Sequence, residues 1–70
     1  MNINTEALNL IAAFLGIDTG TIEWMGCLNR RNGLGEPVCD ASVVIAQAWR
    51  HFWVNEYTGN VREYTWDRER

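Results

Sequence analysis

The stretch from residue 40 to residue 54, DASVVIAQAWRHFWV, decides the predicted fold class because it carries the clearest helical pattern in the chain. Asp40 is a preferred N-cap residue. Apolar residues then recur at helical spacing and would form one buried stripe: Ala41, Val44, Ile45, Ala48, Trp49 and Phe52. Gln47 and Arg50 fall on the opposite side. The pattern predicts a helix over about 41–53.

A first helix is predicted upstream, over about 5–15. Asn4 or Thr5 can cap it, and Gly16 is a natural stop because glycine readily takes the left-handed conformation at a helix C-terminus. Leu8, Ile11, Ala12 and Leu15 follow one another at i, i+3, i+4 and i+7.

A second helix is predicted over about 19–30, with Asp18 or Thr19 as its cap. Ile22, Met25 and Leu28 would share one face of it. The segment 32–37, NGLGEP, is the clearest loop in the chain, since glycine and proline interrupt regular structure.

The C-terminal segment, about 54–66, predicts a β-hairpin. A Thr58-Gly59-Asn60 turn would pair residue 57 with 61 and residue 56 with 62. The predicted fold is therefore mainly α, with three helices and a small hairpin, in the α+β class. Residues 1–66 would form a single small domain, and the charged end 67–70 would fray.

Composition narrows the classes of function. The chain has 70 residues, a formal net charge of −3 and 47% hydrophobic residues, which together indicate one folded domain. No apolar run approaches the ~20 residues of a membrane span, and no basic segment precedes an apolar stretch at the N-terminus. We therefore expect a cytoplasmic protein with reduced thiols at Cys27 and Cys39, although one bridge between them is an open alternative.

Catalytic and metal-binding patterns are weak. His51 is the single histidine, and nothing in the sequence near either cysteine indicates a lowered thiol pKa. Structural zinc sites normally show close ligand pairs such as C-x₂-C, which this sequence lacks. We expect no enzyme activity, no catalytic residue, no metal and no cofactor.

Residues 11–25 resemble a helix-turn-helix motif. The matching positions are a small residue in the first helix, a glycine in the turn and apolar residues around them: Ile11, Ala12, Leu15, Gly16, Ile17, Ile22 and Met25. The resemblance implies two helices crossing at a steep angle, with the second helix able to enter a DNA major groove. It also implies a small dimeric transcriptional regulator, in which Arg30 and Arg31 would contact the DNA backbone.

Charge favours a protein partner over direct contact with nucleic acid. The exposed positions of the implied second helix include Asp18 and Glu23 and no basic residue, whereas DNA affinity normally comes from Lys and Arg. Tryptophan and tyrosine are common anchors of protein interfaces, and charges form their rims.

The leading hypothesis is a small acidic protein-binding module without enzyme activity, an inhibitor or an adaptor. Its contact residues would be Asp18, Glu23 and Trp24, with Tyr57 and Trp66 as a second patch; packing of Trp24 in the core is the alternative. By analogy of size and charge it would be a phage or mobile-element anti-defence protein, such as an anti-CRISPR-like inhibitor. It would occlude a protein partner, including the basic groove of a nucleic-acid-binding protein. The alternatives are the helix-turn-helix regulator and a subunit of a larger assembly, and a homodimer stays open.

Overall fold

The computed structural model describes residues 3–65, which form one helix and one antiparallel sheet. The helix, α1, spans Thr5–Leu15, and a short 3₁₀ helix spans Thr19–Thr21. Four strands follow: β1 (Glu23–Arg31), β2 (Pro37–Ile45), β3 (Ala48–Asn55) and β4 (Val61–Tyr64). Each strand pairs with the next one along the chain, so the sheet is a meander in the order β1-β2-β3-β4.

The first helix is confirmed, together with its capping. The side chain of Asn4 accepts a hydrogen bond from the backbone N–H of Ala7, which satisfies one free donor at the helix start. Gly16 takes a left-handed conformation, with φ of 72°, and its N–H bonds back to the carbonyls of Ala12 and Ala13. Local sequence signals at both ends therefore set the limits of α1.

The mainly α fold class is wrong, because the other two predicted helices are strands. The predicted helix over 19–30 is replaced by the 3₁₀ helix and most of β1. The predicted helix over 41–53 is replaced by most of β2, a tight turn and most of β3. Over residues 3–65 the structure is mainly β, with one α-helix.

Strand formation in β2 and β3 has a clear physical cause. Cys39, Ala41 and Val43 are buried, while Asp40 and Ser42 between them are partly exposed, so burial follows the period of two typical of a strand. The β-branched run 43–45 also favours an extended backbone. The apolar positions fit a helical stripe as well, and pairing with two neighbouring strands outweighs that local preference.

The helix-turn-helix resemblance fails for the same reason. The first helix and its glycine turn are present, but the part that would be the second helix is extended. Ile22 lies just before β1 and Met25 lies within it. No second helix in residues 3–65 is available to enter a DNA groove.

The C-terminal hairpin is formed, but in a different register. Val61 pairs with Val54 and Arg62 pairs with Trp53, so the connection covers residues 56–60 rather than the predicted three-residue turn. Asn55 organises this connection, because its side-chain oxygen accepts hydrogen bonds from the backbone N–H groups of Tyr57 and Thr58. The predicted pairing of residue 56 with 62 is therefore wrong. The predicted strand end at Trp66 and the charged end 67–70 lie outside the described residues.

The core lies between α1 and one face of the sheet, here called the inner face. It holds Ala7, Ile11 and Ala12 of the helix, and these strand residues pack against them: Trp24, Cys39, Ala41, Val43, Phe52 and Val54. Because side chains alternate along a strand, the residues between these point away from the helix. We call that side the outer face, and define it by Glu23, Leu28, Arg30, Asp40, Ser42, Val44, Trp49, His51, Trp53, Arg62 and Tyr64.

Over residues 3–65, the structure contains no helix with the length and apolar character needed to cross a membrane.

Candidate functional site: the outer face of the sheet

Strand alternation separates aromatic from acidic side chains in the C-terminal half of the sheet. On β3, Phe52 and Val54 are fully buried on the inner face, so Trp49, His51 and Trp53 lie on the outer face. On β4, Glu63 pairs with Phe52 and lies on the inner side. The sequence interleaves Glu63 with aromatic residues, but the fold places its carboxylate on the side of the sheet opposite to Trp49, His51 and Trp53.

Glu63 is engaged by Arg50 on that inner side. The Arg50 Nε and Nη2 atoms donate to the two carboxylate oxygens of Glu63 at 2.8 and 2.7 Å. These hydrogen bonds hold the pKa of the Glu63 carboxyl below its usual value. The Arg50 guanidinium also lies 5.7 Å from the centre of the Phe52 ring. The carboxylate of Glu63 therefore lies on the inner side of the sheet and is not part of the outer face.

A polar row crosses the middle of the outer face. Ser42, His51 and Tyr64 are register partners on β2, β3 and β4. Ser42 Oγ lies 3.1 Å from His51 Nδ1, within hydrogen-bonding distance, and the rings of His51 and Tyr64 are 5.9 Å apart. Burial raises the pKa of the Tyr64 phenol, and the nearby Asp40 carboxylate adds to that effect. Tyr64 therefore carries no charge at neutral pH.

The next row holds Asp40, Trp53 and Arg62, and Asp40 forms an ion pair with Arg30, which lies one row further along β1. Arg30 Nη2 lies 2.5 Å from Asp40 Oδ2, so these two charges neutralise each other. The Arg62 guanidinium lies 5.9 Å from the centre of the Trp53 ring, a geometry in which the cation is attracted to the face of the indole. Leu28, the partner of Asp40 on β1, completes the row.

Large apolar side chains are exposed on this face. Trp49 and Leu28 are each 61% exposed, at opposite ends of the outer face. In register, Glu23 pairs with Val44 and Val44 pairs with Trp49, so an exposed carboxylate and an exposed indole flank the same valine. A surface of this kind costs free energy in water and is typical of an interaction site.

The contact residues predicted from sequence are dispersed in the structure. Glu23 is exposed and lies on the outer face, and Asp18 is exposed in the connection before the 3₁₀ helix. Trp24 is 7% exposed and belongs to the core, where its indole nitrogen has no hydrogen-bond partner among residues 3–65. Tyr57 is 75% exposed in the connection between β3 and β4, and Trp66 lies outside the described residues.

The two arginines assigned to DNA-backbone contact have other partners. Arg30 pairs with Asp40, and Arg31 Nη1 donates to the backbone carbonyl of Gly35 at 2.7 Å. Arg31 thereby closes the β1–β2 connection.

Four residues of the outer face escaped the sequence analysis: Leu28, Trp49, Trp53 and Arg62. A signal for two of them, Trp49 and Trp53, was present. In the segment 49–54, WRHFWV, bulky outer-face residues alternate with the inner-face pair Phe52 and Val54, which is the period of a strand. That alternation would have placed Trp49, His51 and Trp53 together.

The side chains available for catalysis are kept apart. Cys27 and Cys39 are free thiols, and burial raises the pKa of the Cys39 thiol, with a further contribution from the neighbouring Cys27. His51 lies on the outer face and Cys39 on the inner face, so the sheet separates them. Within residues 3–65 no three His, Cys, Asp or Glu side chains are grouped closely enough to hold a metal ion.

Comparison with protein-family models, with curated proteins and with solved structures found no match.

Proposed function

We propose that this chain is a protein-binding module without enzyme activity, and that the outer face of its sheet is the docking surface. The proposal rests on the observation that only one face of the sheet is covered. Within residues 3–65 the single α-helix packs on the inner face, whereas Trp49 and Leu28 are each 61% exposed on the outer face. A sheet needs a second layer on each apolar face, and a partner supplies it here.

The composition of the face supports a protein partner. Its centre holds an aromatic and polar row, its ends hold Trp49 and Leu28, and the Arg30–Asp40 ion pair is already satisfied internally. Protein interfaces have this make-up, with aromatic and arginine residues enriched and unpaired charges kept to the rim. The module would act by occluding its partner, as an inhibitor, or by bridging partners, as an adaptor.

The free thiols support a reducing compartment. Cys27 and Cys39 face the inner side from adjacent strands, two residues out of register with each other, and both thiols are free. We therefore place the module in the cytoplasm as part of the same proposal. Binding of duplex DNA by a helix-turn-helix motif would need a second helix in this region. Residues 23–31 form a strand instead, so we do not propose that alternative.

The test is affinity capture with matched variants of the full chain. Immobilised wild type, Trp49→Ala and Leu34→Ala are exposed to nuclease-treated extract of the source cells, and bound proteins are quantified by mass spectrometry. Leu34 is the control, because it is 83% exposed in the β1–β2 connection, away from the outer face. Circular dichroism confirms that each variant is folded.

The proposal predicts that Trp49→Ala reduces capture of a specific protein at least about tenfold, the size of effect expected for an aromatic anchor. Leu34→Ala should leave capture unchanged. Equal capture by both variants would place the contact surface elsewhere. Retention of nucleic acid alone in untreated extract would point to a different class of function.

A further inference from the structure

We propose that the partner of the outer face is a second copy of this chain, docked face to face so that Glu23 of each copy meets Arg62 of the other. This inference rests on the proposed function and narrows it. A chain that covers its own outer face in a dimer acts by bridging, since both helix-covered sides then point outward.

The first observation is the balance of charge on the face. It carries two acidic and two arginine side chains: Glu23, Asp40, Arg30 and Arg62. Arg30 and Asp40 form an ion pair. Glu23 and Arg62 have no oppositely charged partner among residues 3–65, and the face as a whole is neutral. A neutral face with one spare charge of each sign can match a copy of itself.

The second step is the position of the two spare charges. Glu23 lies on β1 and Arg62 on β4, the two edge strands of the sheet. Along the strands, Glu23 belongs to the row of Val44, and Arg62 belongs to the row of Trp53. The row of Ser42 and His51 lies between these two, so the spare charges sit on either side of the centre of the face.

The third step is symmetry. Two identical sheets stacked face to face are related by a two-fold axis that lies in the plane between them. When this axis runs through the centre of the face, perpendicular to the line from Glu23 to Arg62, it superimposes each carboxylate on the guanidinium of the other copy. Both contacts form at once, because the interface is self-complementary. The strands of the two copies then cross at nearly a right angle, one of the two usual arrangements of packed sheets.

The fourth step is the area of the face. Strand spacing and rise give four strands and three rows a projected area of roughly 400 Å². The protruding side chains of Trp49, Leu28 and Arg62 raise the accessible area towards the ~800 Å² per partner of a standard interface. A chain of 70 residues has a small core of its own, so burial of this face is a substantial gain.

The test measures self-association by sedimentation velocity on the purified full chain, using charge reversals. Glu23→Arg alone and Arg62→Glu alone should each weaken the dimer at least about tenfold, because like charges then meet twice. An equimolar mixture of the two variants should regain wild-type affinity as a heterodimer, since both of its contacts again join opposite charges. Asp18→Arg is the control: it changes the net charge as much as Glu23→Arg does, at an exposed site off the face.

The outcomes are separable. Recovery of the dimer in the mixture alone supports the inference. A monomeric wild type at about 100 µM, an upper limit for a meaningful weak dimer, overturns it. The inference is also overturned if neither charge reversal weakens the wild-type dimer, or if the equimolar mixture of the two variants stays monomeric. If the wild type is monomeric but still captures another protein through Trp49, the second-copy inference fails and the proposed function stands; if that capture is also absent, both fail.

Discussion

At the scale of single residues, alternation along β4 determines what each charge can do. Glu63 points to the inner side and pairs with Arg50, whereas its neighbours Arg62 and Tyr64 lie on the outer face. A shift of one register position would exchange these roles and place a carboxylate among the aromatic residues. The Arg50–Glu63 pair therefore favours the register that places Arg62 and Tyr64 on the outer face.

This pair predicts a pH-dependent contribution to stability. The pKa of Glu63 is lowered in the folded protein, chiefly by its hydrogen bonds to Arg50. The contribution is therefore complete above the ordinary carboxyl pKa and is lost as the pH falls through the lowered folded value. Glu63→Gln should cost about 0.5 kcal/mol at pH 7, a small amount because both side chains are about a third exposed.

Urea unfolding of wild type and Glu63→Gln at pH 7 and at pH 2–3 measures this difference. The gap in the free energy of unfolding should close at the lower pH. In the background Arg50→Ala, Glu63→Gln should have little effect at either pH. A gap that is constant or widens on acidification would contradict the assignment.

At the scale of elements, the β2–β3 turn is the point at which local sequence and structure disagree most. Ile45 pairs with Ala48, so Ala46 and Gln47 alone make the turn, and both have positive φ, 52° and 67°. Two-residue hairpin turns of this kind strongly prefer Asn-Gly, because other residues pay a steric cost in the left-handed region. The β2–β3 pairing holds this turn in place despite its sequence.

The double substitution Ala46→Asn/Gln47→Gly should therefore stabilise the fold. We expect a gain of about 1 kcal/mol, which for a domain of this size corresponds to a rise in Tm of about 4–8 °C. Differential scanning calorimetry measures it. Ala48→Asn is the control, because Ala48 lies in the extended strand and should not gain from asparagine. A double variant no more stable than wild type would contradict a left-handed turn at these positions.

The helix and the strands differ in how far sequence could predict them. For α1, local signals suffice: Asn4 and Gly16 fix its ends, and the apolar spacing fits no strand. For β2 and β3, the same apolar residues fit both a helical stripe and a strand, and Asp40 suggested a helix cap. The deciding factor was pairing with residues far along the chain, such as Val54 beside Cys39, which no local pattern reveals.

The candidate site, like the fold, could be predicted only where local sequence signals suffice. Glu23 was identified from its charge and remains on the outer face. Alternation along 49–54 could have grouped Trp49 with Trp53, but Arg62 joins them only through the register between β3 and β4. For Trp24 the sequence was misleading. It stands next to the acidic Glu23 in the sequence, but its side chain lies in the core of the structure.

At the scale of the whole molecule, residues 3–65 form two layers, with one α-helix packed on the inner face of the sheet and no element of this part of the chain packed on the outer face. The inner face is closed by α1, and the outer face keeps an exposed indole and leucine, with one spare charge near each edge. The account predicts that the functional form of this protein closes the second face through another polypeptide.

Hydroxyl-radical footprinting of the purified chain tests this claim most directly, comparing a dilute sample with a concentrated, assembled one. Mass spectrometry gives the oxidation rate of each side chain. The account predicts that Leu28 and Trp49 become several-fold less reactive on assembly, while Phe14 on the helix and Leu34 in the β1–β2 connection keep their rates. Unchanged reactivity of Leu28 and Trp49 in the assembled state, or protection at Phe14 instead, would contradict it.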